Sequence, residues 1–289
     1  MASMRDIKRR KESVQSTSQI TKAMKLVSTV KLQHAKEKAE ESKPYFDKMY
    51  QTVTEMLSGK AELPASWVRD DQAGASGKKG IVLISSNRGL AGGYNSNIAK
   101  KVMNDVFTPD NTLIFPVGRK GLESLKSKGY NFRGDFSEVI NKPLYSDAIQ
   151  IGKEVMSAYE MNEIDEIYLA YTVFKNTMTQ IPTLIRLFPF TEEDLEDFQE
   201  EGLEQTGNLP DKTIMNYEPD EEESLEVILP MYLNSIIYGA LMESLASEHG
   251  ARMQAMDSAT KNAEEMIDDL ELRYNRARQG EEAKHCEHS

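Results

Sequence analysis

The chain has 289 residues, a net formal charge of −12 and a hydrophobic content of 39%. This length allows one or two domains with a sizeable core, and the mean hydropathy of −0.55 favours a soluble protein with much exposed helix surface. The sequence lacks a signal peptide and any apolar run of about 18 residues, and its single cysteine, Cys286, excludes an internal disulfide, so a reducing cytoplasm is the expected compartment.

Residues 1–58 predict a long N-terminal helix, because residues 4–43 contain no proline. We expect a kink at Pro44, after which the helical pattern continues. Spacing by three and four places these apolar side chains on one stripe: Ile20, Ala23, Met24, Val27 and Val30. Residues 1–43 also carry eleven Lys and Arg against five Asp and Glu, a net charge of +6. A basic helix in an acidic protein indicates a surface that meets something acidic.

Residues 59–78 predict a linker, and residues 79–212 predict an α/β domain. Strands and helices alternate there, which favours a mainly parallel, Rossmann-like sheet whose last two strands form an antiparallel pair at one edge. The predicted strands are 79–86, 112–118, 166–174 and 180–188, and the predicted helices are 95–107, 120–128 and 147–159. The acidic block within residues 191–226 is interpreted as a solvated surface.

Residues 213–280 predict a second long helix, which begins near Glu221. The proline-free part, 231–279, would alone extend about 73 Å, and a helix of that length needs a partner along it. The obvious partner is the N-terminal helix, which should pack tightest where the apolar stripe consists of small residues: Ala251, Ala255, Ala259 and Ala263. We expect Gly280 to end this helix and to leave a polar tail over 281–289.

Residues 88–95, Arg-Gly-Leu-Ala-Gly-Gly-Tyr-Asn, follow a predicted strand and precede a helix. A glycine-rich loop in that place can cradle phosphate, so one alternative function is a nucleotide-binding α/β protein. The segment lacks the spacing of the known phosphate-binding motifs, which favours a tight turn that needs positive φ. A further alternative, a coiled-coil nucleic-acid binder that uses residues 5–43, is disfavoured by the overall acidity.

The sequence shows no catalytic triad and no paired-carboxylate pattern, which counts against an enzyme. His285 and His288 lie beside Cys286 in the polar tail and form only a weak metal-ligand pattern. We therefore expect no cofactor and no metal.

Five segments together resemble the γ subunit of the F-type ATP synthase, in its bacterial type. They are residues 4–10 with 19–27, residues 86–95, residues 246–256 and residues 274–279, and the match runs in the family's order over nearly the whole chain. The resemblance implies that the terminal helices form an antiparallel coiled coil inside a hexamer of α and β subunits. It also implies that the α/β domain lies below them on the membrane c-ring, beside the ε subunit. Such a shaft transmits torque and makes no bond itself.

The resemblance further implies two sets of contacts with the β subunit. Lys22, Met24 and Lys25 would meet an acidic loop, while Arg278 and Gln279 would engage a loop higher in the ring. It places the protein at the cell membrane, peripherally and on the cytoplasmic side, with no nucleic-acid partner. One departure stands out: the family's helix continues for more than a dozen residues after the Arg-Gln pair, with an apolar face, whereas residues 280–289 here are polar.

Overall fold

The computed structural model describes residues 4–58, 77–104, 106–189 and 221–287. Most of the predicted linker and of the acidic block lies outside these residues. The elements in chain order are α1 (Met4–Ser58), β1 (Lys79–Ile84), α2 (Tyr94–Val102), β2 (Thr112–Val117), α3 (Arg119–Lys126), β3 (Asn131–Phe132), a 3-10 turn (Val139–Asn141), α4 (Tyr145–Glu160), β4 (Glu166–Phe174), β5 (Gln180–Phe188) and α5 (Glu221–Glu287).

The strands form a single sheet in the order β3-β2-β1-β4-β5. β1 pairs in parallel with both β2 and β4, β2 pairs in parallel with β3, and β5 runs antiparallel to β4. The predicted mainly parallel sheet with an antiparallel edge pair is confirmed. β3 was not predicted, because two residues are too few to show a hydrophobic period.

Helices cover both faces of the sheet. On one face, α4 packs with the first turns of α5 and the last turns of α1, including the fully buried Val53 and Leu229. On the other face, the sheet packs against α2 and α3 through Ile98 and Leu125. The last turns of α1 and the first turns of α5 are therefore built into the core of the sheet domain, and the two helices leave it together as a pair.

The two long helices pair in antiparallel fashion. Lys11 and Glu271 form an ion pair of 3.2 Å at one end, and the Phe46 and Tyr238 rings lie 5.9 Å apart at the other. The helices have 55 and 67 residues, which corresponds to about 82 and 100 Å. α1 passes Pro44 without ending, so the predicted continuation of the helix beyond that proline is confirmed.

The α1 face that packs against α5 is not the predicted apolar stripe. Ile20, Val27 and Val30 are 55–58% exposed. The buried positions instead follow a heptad-like spacing of three, four or seven residues: Ser18, Thr21, Ser28, Leu32 and Ala35. The matching residues of α5 are Met256, Thr260, Ala263 and Leu270. Small side chains let the backbones approach, so the larger apolar groups of α1 point outward, where they form an exposed stripe that a partner could cover.

The prediction that Gly280 ends the C-terminal helix is wrong. α5 continues through Gly280 to Glu287, so most of the predicted polar tail is helical. Glycine inside a helix costs about 1 kcal/mol relative to alanine, but it ends a helix only where the backbone turns to positive φ. The residues that follow, Glu281, Glu282, Ala283 and Lys284, are good helix formers and sustain the helix.

Among the described residues, the segment Glu223–Gly280 of α5 contains a stretch long and apolar enough, by length and composition alone, to cross a membrane. Half of that stretch is buried inside the protein. The first turns of α5 supply the buried Leu225, Leu233 and Leu241 to the sheet core. This burial accounts for the apolar composition as that of a core helix.

Candidate functional site

The candidate site is the place where the rod formed by α1 and α5 crosses the sheet domain. In the observed strand order the connections diverge between β1 and β4, and α/β proteins bind ligands in the crevice beyond the carboxyl ends of such strands. Here α5 occupies that position. The Thr172 backbone N–H donates to Ser244 Oγ at 3.2 Å, Ser247 Oγ donates to the Thr172 carbonyl at 3.0 Å, and the Tyr94 hydroxyl donates to the Ser244 carbonyl at 3.2 Å.

The glycine-rich segment 88–95 forms a tight turn, as the sequence analysis favoured. Leu90 and Gly92 have φ values of 62° and 55°. Ser86 holds the turn from below, because its Oγ donates to the Arg88 carbonyl at 2.7 Å and its backbone N–H donates to Asn95 Oδ1 at 3.0 Å. The turn and the segment of α5 above it thus form one packed unit.

Arg252 of α5 joins the rod to this turn. Its guanidinium donates to the carbonyl of Gly89 through Nε at 3.4 Å and to those of Arg88 and Gly89 through Nη2 at 3.3 Å each. Its Nη1 lies 2.7 Å from Glu248 Oε1, one helical turn away. Glu248 and Arg252 are 7% and 8% exposed, so this ion pair is nearly sealed from water. A buried pair of this kind fixes geometry, since either charge alone would be costly.

Burial shifts the pKa values of Glu248 and of the neighbouring His249. Burial raises the pKa of the Glu248 carboxyl, and the positive charge of Arg252 opposes that rise. Burial lowers the pKa of His249 to about 4, and the charges of Arg252 and Lys31 act in the same direction. His249 is therefore neutral at physiological pH. Glu248, His249 and Arg252 line a cavity of about 390 Å³ between α1, α5 and the turn, which Met24 and Lys31 close from the α1 side.

His249→Gln should make stability less sensitive to acid. The pKa of His249 is about 4 in the folded chain and about 6.5 when unfolded, so the unfolded state binds the proton first as the pH falls. The wild type should lose up to about 3 kcal/mol from this group between pH 6.5 and 4. Urea unfolding across this range should show that loss as the difference between wild type and variant. Parallel pH profiles would contradict the assignment.

The structure places the predicted contact residues of α1 beside acidic side chains of α5. Lys22 lies 2.7 Å from Glu264, and Lys25 donates to Asp257. The hydrogen bond from Lys25 lowers the pKa of the Asp257 carboxyl, with Lys261 contributing. Met24 is half-buried at the rim of the cavity. These three residues therefore lie together at the level of the turn and next to the exposed apolar stripe of α1.

Arg278 and Gln279 lie on exposed helix surface near the far end of the rod. Twenty-one residues of α5 separate Arg278 from Asp257, a distance of about 31 Å along the helix. The structure thus divides the predicted contact residues between two levels of the rod.

Sequence reasoning missed Arg252, Glu248 and His249 as a functional cluster. The signal was present, because a glutamate and an arginine four residues apart on the otherwise small and apolar face of α5 predict a buried pair. Within the described residues, no group of three or more His, Cys, Asp or Glu could hold a metal ion. The weak pattern of His285, Cys286 and His288 in the tail falls where side chains are not described.

Comparison with known proteins gives a consistent result. The model of the family described as ATP synthase matches residues 3–281. An ATP synthase gamma chain of Lachnoclostridium phytofermentans is 59% identical over 280 residues, which cover 96% of this chain and 94% of that protein. A sodium-ion-specific ATP synthase gamma chain of Acetobacterium woodii is 39% identical over 283 residues, covering 96% and 93%.

Two solved structures share the fold. The rotor of the Euglena gracilis mitochondrial ATP synthase contains a chain with a TM-score of 0.65 and 18% identity, covering 96% of this chain and 98% of that one. The central stalk and c-ring structure from Tetrahymena thermophila contains one with a TM-score of 0.61 and 24% identity, covering 83% and 99%.

Proposed function

We propose that this chain, which belongs to the ATP synthase family as a γ chain, couples ion flow through a membrane ring to ATP synthesis or hydrolysis in an α/β hexamer by turning as the central rotor shaft. The observation that carries this proposal is the antiparallel pairing of α1 and α5, which extends from Lys11 and Glu271 to the rings of Phe46 and Tyr238. A shaft needs stiffness along its length and a fixed attachment at its base. The buried helix ends in the sheet core supply that attachment.

The partners follow from this role. The α/β hexamer would surround the rod, while the sheet domain would sit on the c-ring beside the ε subunit. The protein would then be peripheral to the cell membrane on its cytoplasmic side. It would make no bond itself, since α5 fills the sheet crevice in which a nucleotide-binding relative of this fold would hold its ligand.

The surface of the rod suits two kinds of contact with the ring. The exposed Ile20, Val27 and Val30 offer apolar area, and Lys22 and Lys25 stand beside them. Half-exposed ion pairs such as those of Lys22 and Lys25 contribute little to stability, because water screens them. An acidic loop of the β subunit could therefore take over either lysine at one rotor angle and release it at another, which would couple angle to affinity.

Purification of the complex tests the role directly. Solubilised membranes of cells that carry an affinity tag on the β subunit should yield this chain together with the α and β subunits, the ε subunit and the c-ring. An intact, ATP-hydrolysing complex that lacks this chain would refute the proposal. In that case calorimetry with ATP on the isolated chain would test the alternative, nucleotide binding by residues 88–95.

Replacing Arg278 and Gln279 by alanine should reduce ATP turnover of the assembled complex by about tenfold or more. Each residue would lose a polar contact with the ring, and a hydrogen bond to a charged group is worth about 1.5–3 kcal/mol. Steady-state ATP hydrolysis by the purified complex measures the effect. Arg273→Ala is the matched control on the same helix, since Arg273 pairs with Asp269 of its own helix at 2.9 Å. Unchanged turnover in the double variant would remove the role proposed for this pair.

A further inference from the structure

Four aromatic rings from three helices meet where the rod enters the sheet domain. Tyr45 and Phe46 come from α1, Tyr145 from the start of α4, and Tyr238 from α5. The ring centroids are 5.9 Å apart for Tyr45 and Phe46, 6.0 Å for Tyr45 and Tyr145, 5.8 Å for Tyr145 and Tyr238, and 5.9 Å for Phe46 and Tyr238. The contacts close into a cycle, which we name the aromatic joint.

Three of the four contacts are edge-to-face, with interplanar angles of 70°, 80° and 79°. Edge-to-face pairs have a preferred geometry, because the positive edge of one ring meets the negative face of the other. Aliphatic side chains of similar size would fill the space without that directional preference. The joint therefore resists rotation of one helix relative to another, beyond what burial of apolar surface provides.

The joint lies where each of the two rod helices contains a proline. Pro44 immediately precedes Tyr45 in α1, and Pro230 lies two turns before Tyr238 in α5. A proline inside a helix removes one backbone hydrogen bond and weakens the helix locally. Next to Pro230, the Tyr145 hydroxyl donates to the Met231 carbonyl at 3.4 Å. Side-chain contacts thus bridge the segment in which the helices themselves are weakest.

The third member of the joint belongs to the sheet domain. Tyr145 opens α4, whose buried Ile151 and Val155 belong to the sheet core. Asp147 holds the start of this helix, because its carboxylate accepts from the Leu144 backbone N–H at 2.9 Å. A rotation of the sheet domain would therefore carry the Tyr145 ring with it and press on the rings of α1 and α5.

We propose that the aromatic joint positions the rod on the sheet domain and supplies much of the torsional stiffness between them. This inference rests on the proposed rotor function and adds to it the residues that pass torque from domain to rod. The joint is suited to substitution, since its rings are half-buried or, for Tyr45, 44% exposed. Removing rings at such positions leaves the fully buried core of the sheet domain in place.

The test uses the assembled complex, with the hexamer fixed to a surface and a bead on the sheet domain. Thermal angular variance of the bead is inversely proportional to torsional stiffness. Replacing both Phe46 and Tyr238 by leucine removes every ring contact of α5 within the joint and should widen the variance about twofold. Tyr238→Phe keeps the ring and is the matched control, with the variance of the wild type. A purely structural role would alter unfolding without widening the variance of the folded complex.

A leucine variant that assembles and shows the wild-type angular variance would refute the proposed role of the aromatic joint. If the double variant does not assemble, Tyr45→Leu, at the most exposed ring, takes its place: a wider variance supports the joint and an unchanged variance refutes it. ATP-driven rotation of the wild-type bead is recorded first. Its absence would refute the rotor function itself, so the two proposals fail separately.

Discussion

Arg252→Ala should destabilise the folded chain by about 3–5 kcal/mol, because it leaves the Glu248 carboxylate buried without its partner. The substitution also removes the donors that reach the carbonyls of Arg88 and Gly89. Equilibrium unfolding in urea measures the loss, and limited proteolysis should show that the turn opens first. A loss below about 1 kcal/mol, the usual value for a surface pair, would show that water reaches this ion pair.

Two controls separate the buried charge from lost packing. Adding Glu248→Gln to Arg252→Ala removes the stranded charge and should restore part of the stability. Lowering the pH should also reduce the destabilisation caused by Arg252→Ala, because it protonates Glu248. Burial raises the pKa of Glu248, so the folded state binds its proton more readily than the unfolded state does. Arg252→Ala should therefore cost less near pH 4 than at pH 7. An equal cost at both pH values would contradict the charge argument.

Gly118→Ala should lower the free energy of unfolding by about 4 kcal/mol or more, because it combines severe backbone strain with a steric clash. Gly118 follows β2 with φ of 102°, a region that side chains rarely adopt. A Cβ there would overlap the Ser85 carbonyl oxygen at the end of β1, which belongs to the backbone and cannot move aside. Ser85 Oγ also donates to the Gly118 carbonyl at 3.0 Å and accepts from the Gly121 N–H at 2.9 Å.

Gly129→Ala is the matched control for Gly118→Ala. Gly129 has φ of 86°, but nothing lies within 4 Å of the position a Cβ would take. Only the positive-φ penalty of about 1–2 kcal/mol should apply. Thermal unfolding of both variants would separate the positive-φ penalty, which both share, from the steric clash with Ser85, which only Gly118→Ala has. Similar losses in the two proteins would show that the close approach of Gly118 to Ser85 is not the cause.

The sequence predicted the sheet domain well, because its signals are local. The continuous apolar run of β1, the short turn between β4 and β5, and the glycine at the strand-to-helix turn each define an element without reference to distant residues. The rod depended on pairing between distant residues, from Phe46 with Tyr238 to Lys11 with Glu271. The interface between α1 and α5 contains small and polar side chains, and Thr21 Oγ1 lies at a hydrogen-bonding distance of 2.7 Å from Thr260 Oγ1. A search for the most apolar stripe therefore selected the wrong face of α1.

The candidate site was also only partly predictable, because its contacts join segments that are far apart in the sequence. The resemblance selected Lys22, Met24, Lys25, Arg278 and Gln279 for contacts with a partner, and those contacts stay a prediction. Arg252 could not be assigned a role from spacing alone, since its acceptors are carbonyls of a turn 163 residues away. The aromatic joint was likewise hidden, because its rings come from three segments that only the tertiary structure brings together.

The most direct test of the rotor account is to watch this chain turn. Met178 is 74% exposed at the turn between β4 and β5, so Met178→Cys, with the native Cys286 replaced by serine, provides one attachment point for a bead. With the α/β hexamer fixed to glass and ATP supplied, the account predicts stepwise rotation in a single direction. Sustained ATP hydrolysis by complexes whose beads remain at one angle would contradict it.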